Sequence, residues 1–200
     1  MFMSKPSNTA DDILAAARAF IVAGGYNGFS YADIAEVVGI RKASIHHHFP
    51  SKVDLAQTLV RRYLEDAVAG MGDLERNVPE PSELLRTYAG IWARCIEDAS
   101  MPFCVCALLA SELPALPPEV AVEVRAYFQF LSGWLTGVIE RGAEQGTLTI
   151  SAAPRVEAEA FMATVHGAML SARAYGDTSA FGMIMAPTLQ RLIPVADRVG

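Results

Sequence analysis

Three cysteines in 200 residues, Cys95, Cys104 and Cys106, are too few and too clustered to make a disulfide scaffold. The fold must therefore be held by its core, and the expectation is a cytoplasmic chain with reduced thiols. No run of about 18 uncharged apolar residues occurs, so no transmembrane helix is expected. The residues before Asp11 lack the apolar stretch of a secretory signal. Strand patterns are nearly missing as well: the one strand-like run, Thr147–Ile150, is too short to pair usefully. No nucleophile–base–orienter set, phosphate loop or metal-ligand set stands at usable spacing, so no enzyme, cofactor or metal site is expected. Basic residues are also in short supply, with 16 Lys and Arg against 22 Asp and Glu and a net charge of −6. Taken whole, that balance speaks against a polyanion partner.

The distribution of charge speaks otherwise. Residues 1–62 hold seven Lys and Arg against five Asp and Glu, whereas residues 63–200 hold nine against seventeen. A mildly basic head on an acidic body suits a DNA-docking end joined to a part with another task. Apolar residues make up 52% of the chain, which excludes disorder and leaves more apolar surface than one subunit hides comfortably. A homo-oligomer would cover the excess.

The apolar spacing is helical throughout and predicts an all-α chain of about nine helices. Thr9 or Asp11 caps a first helix running to about Val22 and closed by Gly24-Gly25. Ser30 caps a second over Tyr31 to about Val38, Gly39 breaks it, and a third runs from Lys42 to about His48 before Pro50. Ser51 caps a fourth to about Gly70, with Asp54 in the reciprocal capping position. After the loop Asn77–Ser82 come helices over Glu83 to Asp98, Ser100 to Pro114, and Pro117-Pro118 to about Glu144. Pro154 opens one to about Tyr175, and Thr178 opens the last, ending near Pro194.

The informative segment is FSYADIAEVVGIRKASIHHHFPSK, residues 29–52. Ile34 and Val38 form the inner face of one helix, Ala35 is small where a second helix crosses, Gly39 suits a turn of positive φ, and Ile40 and Ile45 follow. This spacing locks two helices at the helix-turn-helix angle, with the second presented to a DNA major groove. Its outer face carries Arg41, Lys42, Ser44, His46 and His47, donors suited to base edges and phosphates. Ser30 and Tyr31 can reach one phosphate at the start of the preceding helix, and Lys52 another. His46, His47 and His48 cannot converge on one metal ion, since successive helical residues diverge by about 100°. His48 is expected to pack inward near Phe49.

The run IAEVVGIRKASIHHHFPSKVDL, with its ending Phe49-x-x-Lys52-x-x-Leu55, resembles the TetR family of one-component repressors over about 45 residues. The resemblance implies a three-helix DNA-binding domain at residues 10–52, followed by a larger helical ligand-binding and dimerisation domain at 53–200. It also implies a homodimer formed through the two C-terminal helices, an inverted-repeat double-stranded DNA operator, and a small-molecule effector that releases it. The family usually has Tyr at the position of His46, so a phosphate contact there would be weaker or pH-dependent.

The body carries aromatics that serve either as core or as the lining of an effector pocket; the family's equivalent helices imply lining for Trp92, Phe103, Phe128 and Trp134. His166, alone on an apolar stretch, reads as a core or interface histidine or as a ligand contact. Ser100 reads as an N-cap that places Cys104 in or just after a first helical turn, where the helix dipole favours thiolate. Cys104 followed eight residues later by Glu112 resembles the TetR subgroup that senses electrophiles through a cysteine. Reactive sensing, non-covalent pocket lining and plain core packing all remain open for Cys104. The competing reading of the whole is a helix-turn-helix used only for protein contacts, which the acidic net charge favours.

Overall fold

The computed structural model describes residues 9–194. Among the described residues the chain forms α1 (Thr9–Gly24), α2 (Tyr31–Val38), α3 (Lys42–His48), α4 (Lys52–Asn77), α5 (Pro81–Glu97) and α6 (Val105–Ser111). A short 3-10 turn at Leu113–Ala115 leads to α7 (Pro118–Glu144), α8 (Pro154–Tyr175) and α9 (Ser179–Leu192). No strand occurs among the described residues, and Thr147–Ile150 is turn and loop. None of the helices is long and apolar enough to cross a membrane.

The helices group into two compact units. The first takes the described residues up to Asp66 together with Cys104–Tyr127, so it holds α1–α3, the first part of α4, α6 and the start of α7. Its core forms because α1 presents Ile13, Leu14, Ala17 and Ile21 on one side, against which Ile34 of α2, Ile45 of α3 and Leu55 of α4 close without solvent contact. Burying each such side chain is worth roughly 1.5–3 kcal/mol. The ends of these helices are fixed by local polar groups. Ser30 and Asp33 form a capping box at the start of α2, with Ser30 N–H donating to Asp33 Oδ2 at 2.6 Å. Ser51 and Asp54 repeat the device at α4, with Ser51 N–H to Asp54 Oδ2 at 2.9 Å and Asp54 N–H to Ser51 Oγ at 3.2 Å. Between α2 and α3, Gly39 stands at φ 72° and donates its N–H to Ala35 O at 3.0 Å. A side chain there would cost roughly 1–2 kcal/mol through the backbone alone.

The second unit takes Ala67–Phe103 and the described residues from Phe128 on. α5 and α8 meet the later part of α7 through Tyr88–Trp134 and Ser132–Glu159, and α9 packs on α5 and α8, with Leu84, Tyr88, Leu135, Phe161 and Phe181 buried. Glu157, at 3% exposure the one deeply buried carboxylate among the described residues of this unit, is held on several sides. Arg191 Nη2 donates to it at 2.8 Å, Ser151 N–H and Oγ–H at 3.0 Å, and Ala152 N–H at 3.2 Å. The Arg191 hydrogen bond is the largest cause that holds this carboxyl at about 2.

Several boundaries differ from the sequence expectation. The first helix runs two residues past Val22, to Gly24. The fourth runs seven residues past Gly70, because the helix continues through Gly70 and Gly72 where Met71 is buried and Glu75 pairs with Arg141 at 2.6 Å. The fifth begins at Pro81, since Glu80 accepts from Ser82 and Glu83 N–H and acts as the cap. The sixth does not start at Ser100. The Asp98 side chain takes the Ser100 N–H at 2.8 Å, Ala99 lies at φ 57°, and Pro102 disfavours helix at Met101, so α6 opens only at Val105 and ends at Ser111.

Candidate functional site

α3 turns Ile45 wholly inward and leaves Arg41, Lys42, His46 and His47 exposed, with Ser44 half-buried. Five of the expected contact residues thus share the outward side of one short helix. His46 is anchored: its Nδ1 lies 3.1 Å from Pro50 O, and its ring lies 4.8 Å from that of Tyr31. His48 does not pack inward. It is exposed, its ring edge-on to His47 at 5.5 Å, because Phe49 (5% exposed) already fills the inner slot at the end of α3.

The three flanking residues are more committed to the fold than the sequence implies. The Ser30 hydroxyl is shared between Asp33 Oδ2 (2.7 Å) and Ala32 N–H (3.2 Å), which exposes the start of α2 but occupies the side chain. Tyr31 is buried and donates its hydroxyl to Phe49 O at 2.9 Å; burial first, then the Asp54 charge, raise its phenol to about 12. It braces the end of α3. Lys52 is half-buried, its Nζ donating to Phe29 O and standing 4.1 Å from the Phe29 ring centre and 5.0 Å from that of Tyr26. Burial lowers its pKa.

Of the expected sensing residues, Trp92, Phe103, Phe128, Trp134 and His166 lie in the second unit and Cys104 in the first. Trp92 and Phe103 are buried, and Arg173 covers the Phe103 ring at 5.4 Å. Trp134 packs against Tyr88 at 5.4 Å, and His166 meets Phe128 edge-on at 5.3 Å. The buried atoms Trp134 Nε1 and His166 Nε2 have no hydrogen-bond partner. A buried polar atom left so costs about 1–3 kcal/mol. Burial holds the His166 imidazole at about 4, so it is neutral.

Cys104 is the N-cap of α6 and has no solvent contact. The Tyr63 hydroxyl donates to its Sγ at 3.6 Å, and its thiol donates to the Tyr127 hydroxyl at 3.7 Å. The expected drift toward thiolate is reversed. Burial raises the Cys104 pKa, outweighing the backbone N–H groups of Ala107 and Cys106 and the two phenols, which act the other way. Tyr63 is the partner that sequence reasoning missed; it lies 41 residues before the cysteine, and nothing local marks it. The same tyrosine, with Leu14, Arg18 and the Arg62–Asp11 pair (2.7 Å), lines a groove of about 200 Å³ in the first unit.

A short helix with a cationic and imidazole outer face, joined through a left-handed glycine to a capped partner helix, defines a helix-turn-helix DNA-binding protein. Residues 13–59 match the model of bacterial regulatory proteins of the tetR family, and residues 81–186 match that of a tetracyclin repressor-like C-terminal domain. The chain is 59% identical to a TetR-family transcriptional regulator from Agrobacterium tumefaciens of known crystal structure, with a TM-score of 0.91 over 95% of this chain and 100% of that one. It is 24% identical to the HTH-type transcriptional repressor DhaR of Mycobacterium sp. (strain GP1), over 88% of this chain and 87% of DhaR. It is 26% identical to the HTH-type transcriptional activator FasR of Mycolicibacterium smegmatis, over 56% of this chain and 50% of FasR. The chain belongs to the TetR family of bacterial transcriptional regulators.

Proposed function

We propose that this regulator is a homodimeric repressor that grips an inverted-repeat operator and releases it when a small molecule occupies its helical body. The outward side of α3, with Arg41, Lys42, Ser44, His46 and His47 held over the buried Ile45, carries the reading. Ser30, Tyr31 and Lys52 frame that face at the start of α2 and α4. Residues 10–52 read DNA, and residues 53–200 supply sensing and dimerisation. One seven-residue helix makes too few contacts for specific affinity, so two heads on successive major grooves, about 34 Å apart, are needed.

The dimer is supported by an apolar stripe on α8. Val156, Ala160, Ala163, Gly167 and Leu170 recur every three or four residues and are all exposed, Val156 at 57% and Leu170 at 58%; Met183 adds to it on α9 at 67%. Small residues let two helices approach closely, and a twofold partner would cover the stripe. Repression is favoured over activation because the likeness to the repressor DhaR spans 87% of that protein, against half of the activator FasR. A non-covalent effector is favoured over thiol modification by the unpartnered nitrogens of Trp134 and His166 and by the burial of Cys104.

Selection from random-sequence DNA, followed by fluorescence anisotropy at rising salt, tests the reading. A selected palindromic duplex bound by two protomers, with log affinity falling steeply and linearly in log salt, supports it. Binding that ignores salt favours a helix-turn-helix used for protein contacts, the reading that the net charge of −6 would suit.

A further inference from the structure

Glu112 lies outside both the DNA-facing surface and the sensing residues, yet it holds the turn that joins α1 to α2. The Tyr26 N–H donates to Glu112 Oε2 at 2.9 Å, across 86 residues of sequence. The same carboxylate is seated on Gly25, which stands at φ +77°. A Cβ at Gly25 would fall 1.9 Å from Glu112 Oε1 and 2.8 Å from its Cδ, so the turn and the carboxylate fit only because residue 25 has no side chain. Glu112 is itself fixed at the C-terminal end of α6. Its N–H donates to Leu109 O at 3.0 Å, and its carbonyl accepts from Ala115 N–H at 2.8 Å in the following 3-10 turn.

The held turn is where the DNA-facing elements take their position. Gly25 N–H donates to Ile21 O at 2.8 Å and ends α1. Five residues on, Ser30 caps α2. Between them, Tyr26 and Phe29 supply the rings and the carbonyl oxygen that hold the Lys52 ammonium. A shift of this turn therefore moves the start of α2 and the first turn of α4 together.

We infer that Glu112 is a positioning residue for operator binding: from the end of α6, its carboxylate pins the Gly25–Tyr26 turn and so sets α2 and Lys52 in the arrangement that meets DNA. The hydrogen bond needs only an acceptor, so glutamine, with its amide oxygen toward Tyr26 N–H, serves in place of glutamate. Leucine fills the volume and offers nothing. The inference rests on the operator-binding reading above.

The test uses the full chain and a labelled duplex selected from random-sequence DNA by the wild-type protein. Glu112→Leu is expected to bind that duplex at least tenfold more weakly, with a smaller loss on nonspecific DNA, while keeping its circular-dichroism spectrum. Glu112→Gln is expected to stay within threefold of wild type on both. Wild-type-like operator binding by E112L, or a loss in E112Q as large as in E112L, overturns the inference. Should E112L unfold, the wild-type Tyr26 amide decides. Protection from hydrogen exchange comparable with amides inside α1 supports the latch, and exchange at an open-loop rate overturns it. A wild-type protein that selects no duplex contradicts the operator-binding reading itself, and the latch falls with it.

Discussion

Lys52 places its ammonium 4.1 Å from the centre of the Phe29 ring and donates to the carbonyl oxygen of the same residue. The first turn of α4 is thereby tied to the segment that leads into α2. Lys52→Met keeps the stem and removes the charge, so a charged hydrogen bond and a cation–π contact are lost and some desolvation is regained. Urea unfolding is expected to show a net loss of about 1–2 kcal/mol. On DNA the same variant is expected to weaken selected and nonspecific duplexes alike and to lower the salt slope by about 1. Unchanged stability would show that the contact with Phe29 carries no weight.

Arg191 and Glu157 form an ion pair at 2.8 Å with very unequal burial: the guanidinium is 45% exposed and the carboxylate 4%. Removing the arginine leaves a buried charge whose remaining partners are Ser151 and Ala152. Arg191→Ala is expected to cost about 2–4 kcal/mol, whereas Arg155→Ala, which breaks the exposed Arg155–Glu159 pair, is expected to cost under about 0.5 kcal/mol. Chemical denaturation of the two variants side by side checks the contrast.

The buried imidazole of His166 makes stability fall in mild acid. Its folded-state pKa is about 4 against an ordinary 6.5, so the unfolded chain takes up the proton first as pH drops. The contribution is whole above pH 6.5 and is lost progressively between 6.5 and 4, reaching about 3 kcal/mol in all. His166→Phe removes this dependence. Denaturation at pH 7.5 and at pH 5 is expected to show the wild type losing about 2 kcal/mol more than the variant over that interval. Equal losses would place the ring in water.

The cysteines differ in access. Cys95 is half-buried, while Cys104 and Cys106 are buried and burial raises the pKa of both. A thiol-specific disulfide reagent at pH 7 is expected to modify Cys95 at least tenfold faster than Cys104, as followed by peptide mass spectrometry. Modification of Cys104 first would restore the reactive-sensor reading.

Local signals told the helices apart well where a cap or a breaker stood at each end. α2, α3 and α8 have the expected limits because Ser30, Gly39, Pro50, Pro154 and Gly176 are local determinants. α4 departed from expectation because a distant group decided it, the Arg141 partner of Glu75, and α6 because the Asp98 side chain takes the Ser100 N–H in a turn just before Pro102. The outward face of α3 was legible from spacing around Ile45. The occupation of Tyr31 by Phe49, of Lys52 by Phe29 and of Cys104 by Tyr63 was not, because each partner lies 18 to 41 residues away and is joined only by packing. Sequence pattern thus located the helix-turn-helix, and tertiary contacts decided which of its side chains are already engaged.

The most direct test of the account is the salt dependence of binding to a selected duplex, compared between wild type and the Arg41→Ala/Lys42→Ala double variant. Both side chains are exposed on α3. The account predicts specific binding by the wild type whose log affinity falls linearly with log salt, and a double variant with lost specificity and a slope shallower by about 2 per head. Identical affinity and slope in the two proteins, or a wild type that prefers no sequence, would contradict it.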